Sequence, residues 1–150
     1  MTKILVVDDV YTTRLKTELV LRHAGRYVVQ SVGSGEEALE VAVANRPDAI
    51  VLDIVMAGMD GIATLRELRA LGINCPIIAF TARRERKPGE FEVRGFNAFV
   101  PKAEELSGLL ATLKIVLNKH STTENGREKS EFTESRSAHG TSEKPISLSN

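Results

Sequence analysis

One cysteine, Cys75, occurs in 150 residues, and that scarcity excludes an internal disulfide and a cysteine-based metal cluster. A lone thiol fits a reducing compartment, and its ordinary role is that of a small apolar side chain packed just before a strand. No apolar run approaches the roughly 18 residues of a membrane-spanning helix. Met1 leads straight into a strand-like segment rather than a leader peptide. A cytoplasmic protein with no membrane contact is therefore expected. Charge of one sign is also missing: 20 Lys and Arg stand against 20 Asp and Glu, for a formal net charge of zero. A general nucleic-acid binder needs a basic surplus to neutralise phosphates, so direct nucleic-acid binding is not expected. The length suits one domain with a sizeable core.

Apolar residues run out near residue 118. Residues 119–150 hold only Phe132, Ala138, Ile146 and Leu148 among many Ser, Thr, Glu and Lys. Such a stretch buries too little surface to offset the entropy of ordering it. The expected division is an ordered domain over 1–118 and a disordered polar tail over 119–150.

Within the first part, strand-like and helical patterns alternate five times. Lys3 to Val7 is a short apolar run of the kind found in a strand covered on both faces. A helix is expected from about Thr12 to Ala24, with Leu15, Leu19, Val20 and Ala24 on its inner side and Gly25 as its stop. Tyr27 to Val32 reads as the second strand. Ser34 and Glu37 form an S-x-x-E capping box that opens a helix running to about Asn45. Ala49 to Leu52 is the third strand, and a helix carrying Ile62, Leu65, Leu68 and Leu71 ends at Gly72. Pro76 to Phe80 is the fourth strand. The polar run Arg83 to Gly89 leaves room for only a short helix over Glu90 to Arg94. Asn97 to Val100 is the fifth strand, and a last helix covers about Glu104 to Asn118. Strands alternating with helices call for a parallel sheet covered on both faces. Five units of this size fit a doubly wound open α/β sheet and not an eight-stranded barrel.

Polar residues with chemical potential sit where four of these strands end. Asp8 and Asp9 follow the first strand, Asp53 the third, Thr81 ends the fourth and Lys102 follows the fifth. In a doubly wound parallel sheet these positions share the carboxyl edge, where ligands bind. Taken singly, each has an ordinary reading: a helix cap for Asp8 or Asp9, a turn residue for Asp53, a cap for Thr81, a solvated loop lysine for Lys102. Joint placement on one edge argues for a common task. Three neighbouring carboxylates repel unless a cation intervenes. A hard divalent ion suits them, and Mg²⁺ does so best because it accepts few protein ligands and keeps its waters. Lys102 and the Thr81 hydroxyl add donors for phosphate oxygens. With Asp53 as nucleophile, such a site is suited to phosphoryl transfer, which needs positioning and charge neutralisation above all.

These residues (Asp8-Asp9 after an apolar strand, Asp53 followed by Met56 and Met59-Asp60-Gly61, Thr81-Ala82, and Lys102) resemble the receiver domain of two-component response regulators. The resemblance spans residues 3 to about 118. It implies a flavodoxin-like (βα)5 fold with strand order 2-1-3-4-5 and a phosphoryl group accepted on Asp53 from a sensor histidine kinase or phosphotransfer protein. It implies Mg²⁺ held by Asp9, Asp53 and the Val55 carbonyl, with Asp8 acting through water, and phosphoryl contacts from Lys102 and Thr81. Phe99 matches the family's aromatic switch, and Val55 and Arg83 match the positions that tune phosphoryl lifetime. The expected output is binding of a downstream protein by a stand-alone receiver, monomeric or dimerising on phosphorylation. The protein is expected to be a switch rather than an enzyme, with weak self-dephosphorylation.

Three features depart from the family's usual pattern. Ala103 follows Lys102 where proline is common, so a cis bond retained there would cost about 2.5–4 kcal/mol. Ala57 replaces a common proline and is expected to loosen the loop beyond Asp53. Pro88-Gly89 falls in the family's fourth helix, which should be short or displaced. Two other classes fit less well. A haloacid-dehalogenase-type phosphohydrolase needs a second Asp where Val55 stands, and a flavin-binding module needs a hydroxyl- and glycine-rich loop after the first strand. Within the receiver class, the alternative is output through the tail.

Overall fold

The structure, a computed structural model, describes residues 1–82, 95–103 and 106–137. The expected helix over Glu90 to Arg94, the effect of Pro88-Gly89 and the placement of Arg83 lie outside the described residues. The elements in chain order are β1 (Lys3–Val7), α1 (Tyr11–His23), β2 (Val28–Val32), α2 (Gly35–Asn45), β3 (Ala49–Leu52), α3 (Gly61–Ala70), β4 (Ile77–Thr81), β5 (Ala98–Pro101) and α4 (Leu106–Ser137). All pairings are parallel and the sheet order is β2-β1-β3-β4-β5, the order expected.

The continuous apolar strands are split residue by residue between two faces, because side chains alternate along a strand. Leu5 and Val7 of β1, Ile50 and Leu52 of β3, and Ile77 and Ala79 of β4 point to one side. They meet Ala38 and Ala42 of α2 and Leu65 and Leu68 of α3. Ile4, Val6, Val51, Ile78, Phe80 and Val100 point to the other side and meet Leu21 of α1 and Leu109, Leu113 and Val116 of α4. Each fully buried Leu or Ile contributes roughly 1.5–3 kcal/mol relative to exposure. Cys75 packs against the first of these clusters, and burial pushes its thiol up to about 11.

Local signals place the helix ends. Ser34 accepts the Glu37 N–H at 3.2 Å, as a capping box requires, but the Glu37 carboxylate returns to the Gly33 N–H instead of the cap residue's own. Asp60 caps α3 through the Ala63 N–H at 2.8 Å. Gly72, at φ +80, ends that helix, and the Ile73 N–H reaches back to the Leu68 carbonyl. Beyond α3, Arg69 donates to the carbonyls of Ile73, Cys75 and Gly95 and to Asn97 Oδ1. Asn97 Oδ1 also accepts the Ile77 N–H. This cluster ties the starts of β4 and β5 together at the amino edge of the sheet.

Three expectations are corrected. In α1 the buried residues are Thr17 and Leu21, while Leu15 and Leu19 are 39% and 47% exposed. Thr17 is tolerated inside because its hydroxyl donates to the Thr13 carbonyl, so the inner stripe is less apolar than the pattern suggested. Second, the last helix does not end near Asn118: α4 continues to Ser137. Helical bonding propagates once nucleated, and α4 is nucleated on the core. Past the core, the hydroxyls of Ser121, Thr122 and Thr123 donate to the carbonyls four residues back, and His120 pairs with Glu124 at 3.1 Å. Third, there is no cis peptide among the described residues, so the bond between Lys102 and Ala103 is trans, the form a non-proline bond prefers.

Gly61 opens α3 directly against the strand that carries Asp53. A Cβ there would overlap the Asp53 carbonyl oxygen and the Ile54 Cα, while the Gly61 N–H donates to the Ile54 carbonyl at 2.9 Å. Replacing Gly61 by Ala is expected to destabilise the fold by about 1–3 kcal/mol, the range for forcing atoms into a packed interior. A urea titration comparing the midpoints of the two proteins measures this.

Candidate functional site at the carboxyl edge of the sheet

The strand register builds the site. Val7 pairs with Leu52, so Asp8 and Asp53 lie side by side one residue beyond, and the Asp53 N–H donates to the Val7 carbonyl at 3.0 Å. Thr81 pairs with Pro101, and the Lys102 N–H donates to the Thr81 carbonyl at 2.7 Å. Lys102 thereby enters the same edge from β5.

Its ammonium bridges the two carboxylates, with Nζ 2.7 Å from Asp8 Oδ2 and 2.9 Å from Asp53 Oδ2. Both are buried, Asp8 at 2% and Asp53 at 5% exposure. Asp9 is exposed and completes a group in which one carboxylate oxygen from each residue lies within 4.8 Å of the others. Each carboxylate is also held by an amide: Asp8 Oδ1 by Val10, Asp53 Oδ1 by Val55 and Asp9 Oδ2 by Ala57, at 2.9, 3.3 and 3.0 Å. Neither Asp8 nor Asp9 caps α1, whose cap position is Val10 with no side-chain bond.

Burial pushes the Asp53 carboxyl above its ordinary value, and the hydrogen bond and charge of Lys102 pull against that rise. Burial likewise opposes the charge on Lys102, but bonds to Asp8 and Asp53 outweigh it and hold the ammonium above its ordinary value. Lys102 is therefore a cation at neutral pH. With all three carboxylates ionised, one ammonium leaves two negative charges in an all-oxygen donor set. That chemistry fits a hard divalent cation such as Mg²⁺.

The expected site residues are thus distributed as follows. Asp8, Asp9, Asp53 and Lys102 meet. Thr81 is fully buried at the end of β4, one main-chain bond from Lys102. Val55 brings its amide to Asp53 while its side chain is 66% exposed at the mouth. Phe99 does not enter the edge: it is half-buried on the sheet face shared with α2 and α3. Arg83 lies outside the described residues. Ala57 ties the loop down through Asp9 instead of loosening it, and the proline common in the family has no N–H for that bond. Two contributors went unread in the sequence. Arg14 donates to the Asp8 carbonyl at 2.6 Å, and no local pattern marks a helix arginine for that role. Gly61 stood in plain view in Met59-Asp60-Gly61, but its reason, contact with the Asp53 main chain, is a tertiary one.

Sheet order and edge chemistry together define a receiver-type phosphoacceptor module, and the chain belongs to the response regulator receiver domain family, whose model matches residues 4–114. Among curated proteins it is similar to response regulator MprA of Mycobacterium sp. (strain KMS), 38% identical over 125 residues that cover 81% of this chain and 53% of that protein. The chain thus spans about half the length of the curated relatives it matches. Among solved structures it is similar to the Vibrio cholerae chemotaxis protein CheY4, with TM-score 0.69 and 30% identity over 77% of this chain and 98% of that one. It is also similar to the response regulator TrrA of Thermotoga maritima in complex with Mg²⁺-BeF, with TM-score 0.68 and 28% identity over 77% and 99% of the two chains. No helix among the described residues is long and apolar enough to cross a membrane.

Removing Lys102 tests the electrostatics. In metal-free buffer near neutral pH, Lys102→Met is expected to cost ~3–5 kcal/mol, because two buried carboxylates lose their cation. Without the pull of Lys102 the folded Asp53 pKa rises further above its unfolded value. The native state then takes up the proton first, and the variant's stability falls as pH rises from about 3.8, the ordinary value, through the folded one. The gap to wild type should accordingly narrow on acidification, as denaturant titrations at pH 4 and 7 would measure.

Proposed function

We propose that Asp53 accepts a phosphoryl group from a phosphohistidine of a sensor kinase or phosphotransfer protein. An Asp53 carboxylate oxygen forms the new O–P bond, the N–P bond of the donor breaks, and the imidazole leaves with the electron pair and takes a proton from water. The observation that carries this reading is Lys102, whose ammonium already lies 2.9 Å from Asp53 on the edge where three carboxylates converge. A protonated lysine there offers charge to a phosphoryl oxygen.

Mg²⁺ would be held by Asp9, Asp53 and the Val55 carbonyl, with Asp8 acting through water, and it would neutralise phosphoryl oxygens. Thr81 supplies a hydroxyl to the phosphorylated form. Phe99, on the sheet face, repacks as Thr81 moves and transmits the change to the surface around β5 and α4. Water attack on the acyl phosphate returns Asp53 to its starting state, and Val55 and Arg83, which match the family's lifetime-tuning positions, set how fast. This makes the domain a cytoplasmic switch rather than an enzyme acting on a separate substrate. Its output is contact with another protein, as a monomer or a dimer formed on phosphorylation. With no basic surplus, the domain itself is assigned no nucleic-acid contact.

Incubation with acetyl phosphate and Mg²⁺, read by intact mass, tests the proposal. Wild type is expected to gain one phosphoryl group, while Asp53→Ala and Mg²⁺-depleted samples gain none. An equal gain in Asp53→Ala would overturn it.

A further inference from the structure

We propose that Arg14 is a positioning residue for the acidic site, fixing the main chain of the Asp8-Asp9 turn and thereby setting how tightly the carboxylates hold a divalent cation. This rests on the Mg²⁺ reading above and adds a residue outside its donor set. Arg14 sits in the first turn of α1, half-buried. Its Nη1 donates to the Asp8 carbonyl at 2.6 Å, and its guanidinium lies 5.5 Å from the centroid of the Tyr11 ring. The space it fills is left open by Gly33 at the end of β2, where a Cβ would come within 3.0 Å of Nη1.

The Asp8 carbonyl is where the chain turns out of β1. The rest of Asp8 is already engaged: its N–H donates to Val32, Oδ1 accepts from Val10 and Oδ2 accepts from Lys102. The carbonyl accepts from Arg14, so every polar group of Asp8 is fixed and the peptide leading to Asp9 has one orientation. Among the described residues Arg14 makes no ion pair with Asp8, Asp9 or Asp53. Its effect on the cation therefore runs through backbone geometry.

The two possible effects have opposite signs. If Arg14 acted mainly as a nearby positive charge, removing it would tighten cation binding. If it acts by positioning, removing it weakens binding, as loss of a group that orients metal ligands does, by about 10–100-fold.

The test is calorimetric titration of Mg²⁺ into the full chain, alongside thermal unfolding without metal. Arg14→Met is expected to bind Mg²⁺ at least about tenfold more weakly. Arg14→Lys, which keeps one donor and the charge, and Gly33→Ala, which crowds the guanidinium without removing it, should show smaller losses in the same direction. Arg69→Met serves as the control, because it breaks a comparable set of arginine–carbonyl bonds at the opposite edge. It should lower the unfolding temperature and leave Mg²⁺ affinity at the wild-type value. Unchanged or tighter binding by Arg14→Met, or an equal loss in Arg69→Met, overturns the proposal. If Arg14→Met does not fold, Arg14→Lys and Gly33→Ala carry the test by the same criterion. No binding by wild type would instead overturn the Mg²⁺ reading beneath it.

Discussion

The Lys102 ammonium, set between the carboxylates of Asp8 and Asp53 at 2.7 and 2.9 Å, lets two acids lie buried side by side at the end of an apolar sheet. Without it, their desolvation and mutual repulsion would drive one toward its protonated form. With it, they stay close while the site still lacks two positive charges. A buried pair of this kind adds little net stability, since desolvation offsets much of the attraction. Its value is positional: it keeps the all-oxygen cluster in one geometry. A phosphoryl group arriving on Asp53 would compete for this ammonium, so the contact that holds the resting site is also the one that modification disturbs.

Everything else in the fold serves to bring Lys102 and the acids to one edge. Parallel pairing in the order β2-β1-β3-β4-β5 puts the ends of β1 and β3 next to each other, and β5 feeds its lysine in from two strands away. Apolar residues alternate to both faces of the central strands, so helices cover each side and the edge is left as the polar surface. Gly61 permits α3 to begin in contact with the Asp53 main chain, and the amides of Val10, Val55 and Ala57 orient one carboxylate each.

Legibility in the sequence followed the range of the interaction. The strands, the Ser34 and Gly72 helix boundaries and the placement of Asp8, Asp53, Thr81 and Lys102 could be read because each depends on a short run of residues and on one rule about parallel sheets. What failed depends on partners distant in the chain or on compensation by hydrogen bonds. Thr17 takes an inner position on α1 where Leu15 and Leu19 seemed the better candidates, since its hydroxyl is satisfied locally. The helix past Asn118 persists on backbone bonding and hydroxyl contacts with few apolar residues. Arg14 and Ala57 reach the site through main-chain groups, which composition and periodicity do not register. The bond after Lys102 is trans, the form a peptide bond prefers where no proline follows.

The central claim is that one specific carboxylate among three neighbours takes the phosphoryl group. Asp53 meets the requirement because it is held by Lys102 yet keeps a second oxygen that, among the described residues, accepts only the long 3.3 Å bond from the Val55 amide, whereas Asp8 is engaged on every polar atom. Borohydride reduction of the phosphorylated chain, followed by peptide sequencing in a mass spectrometer, converts an acyl phosphate to a marked residue in place. Homoserine is expected at position 53 alone. Homoserine at position 8 or 9, with residue 53 still aspartate, would contradict it.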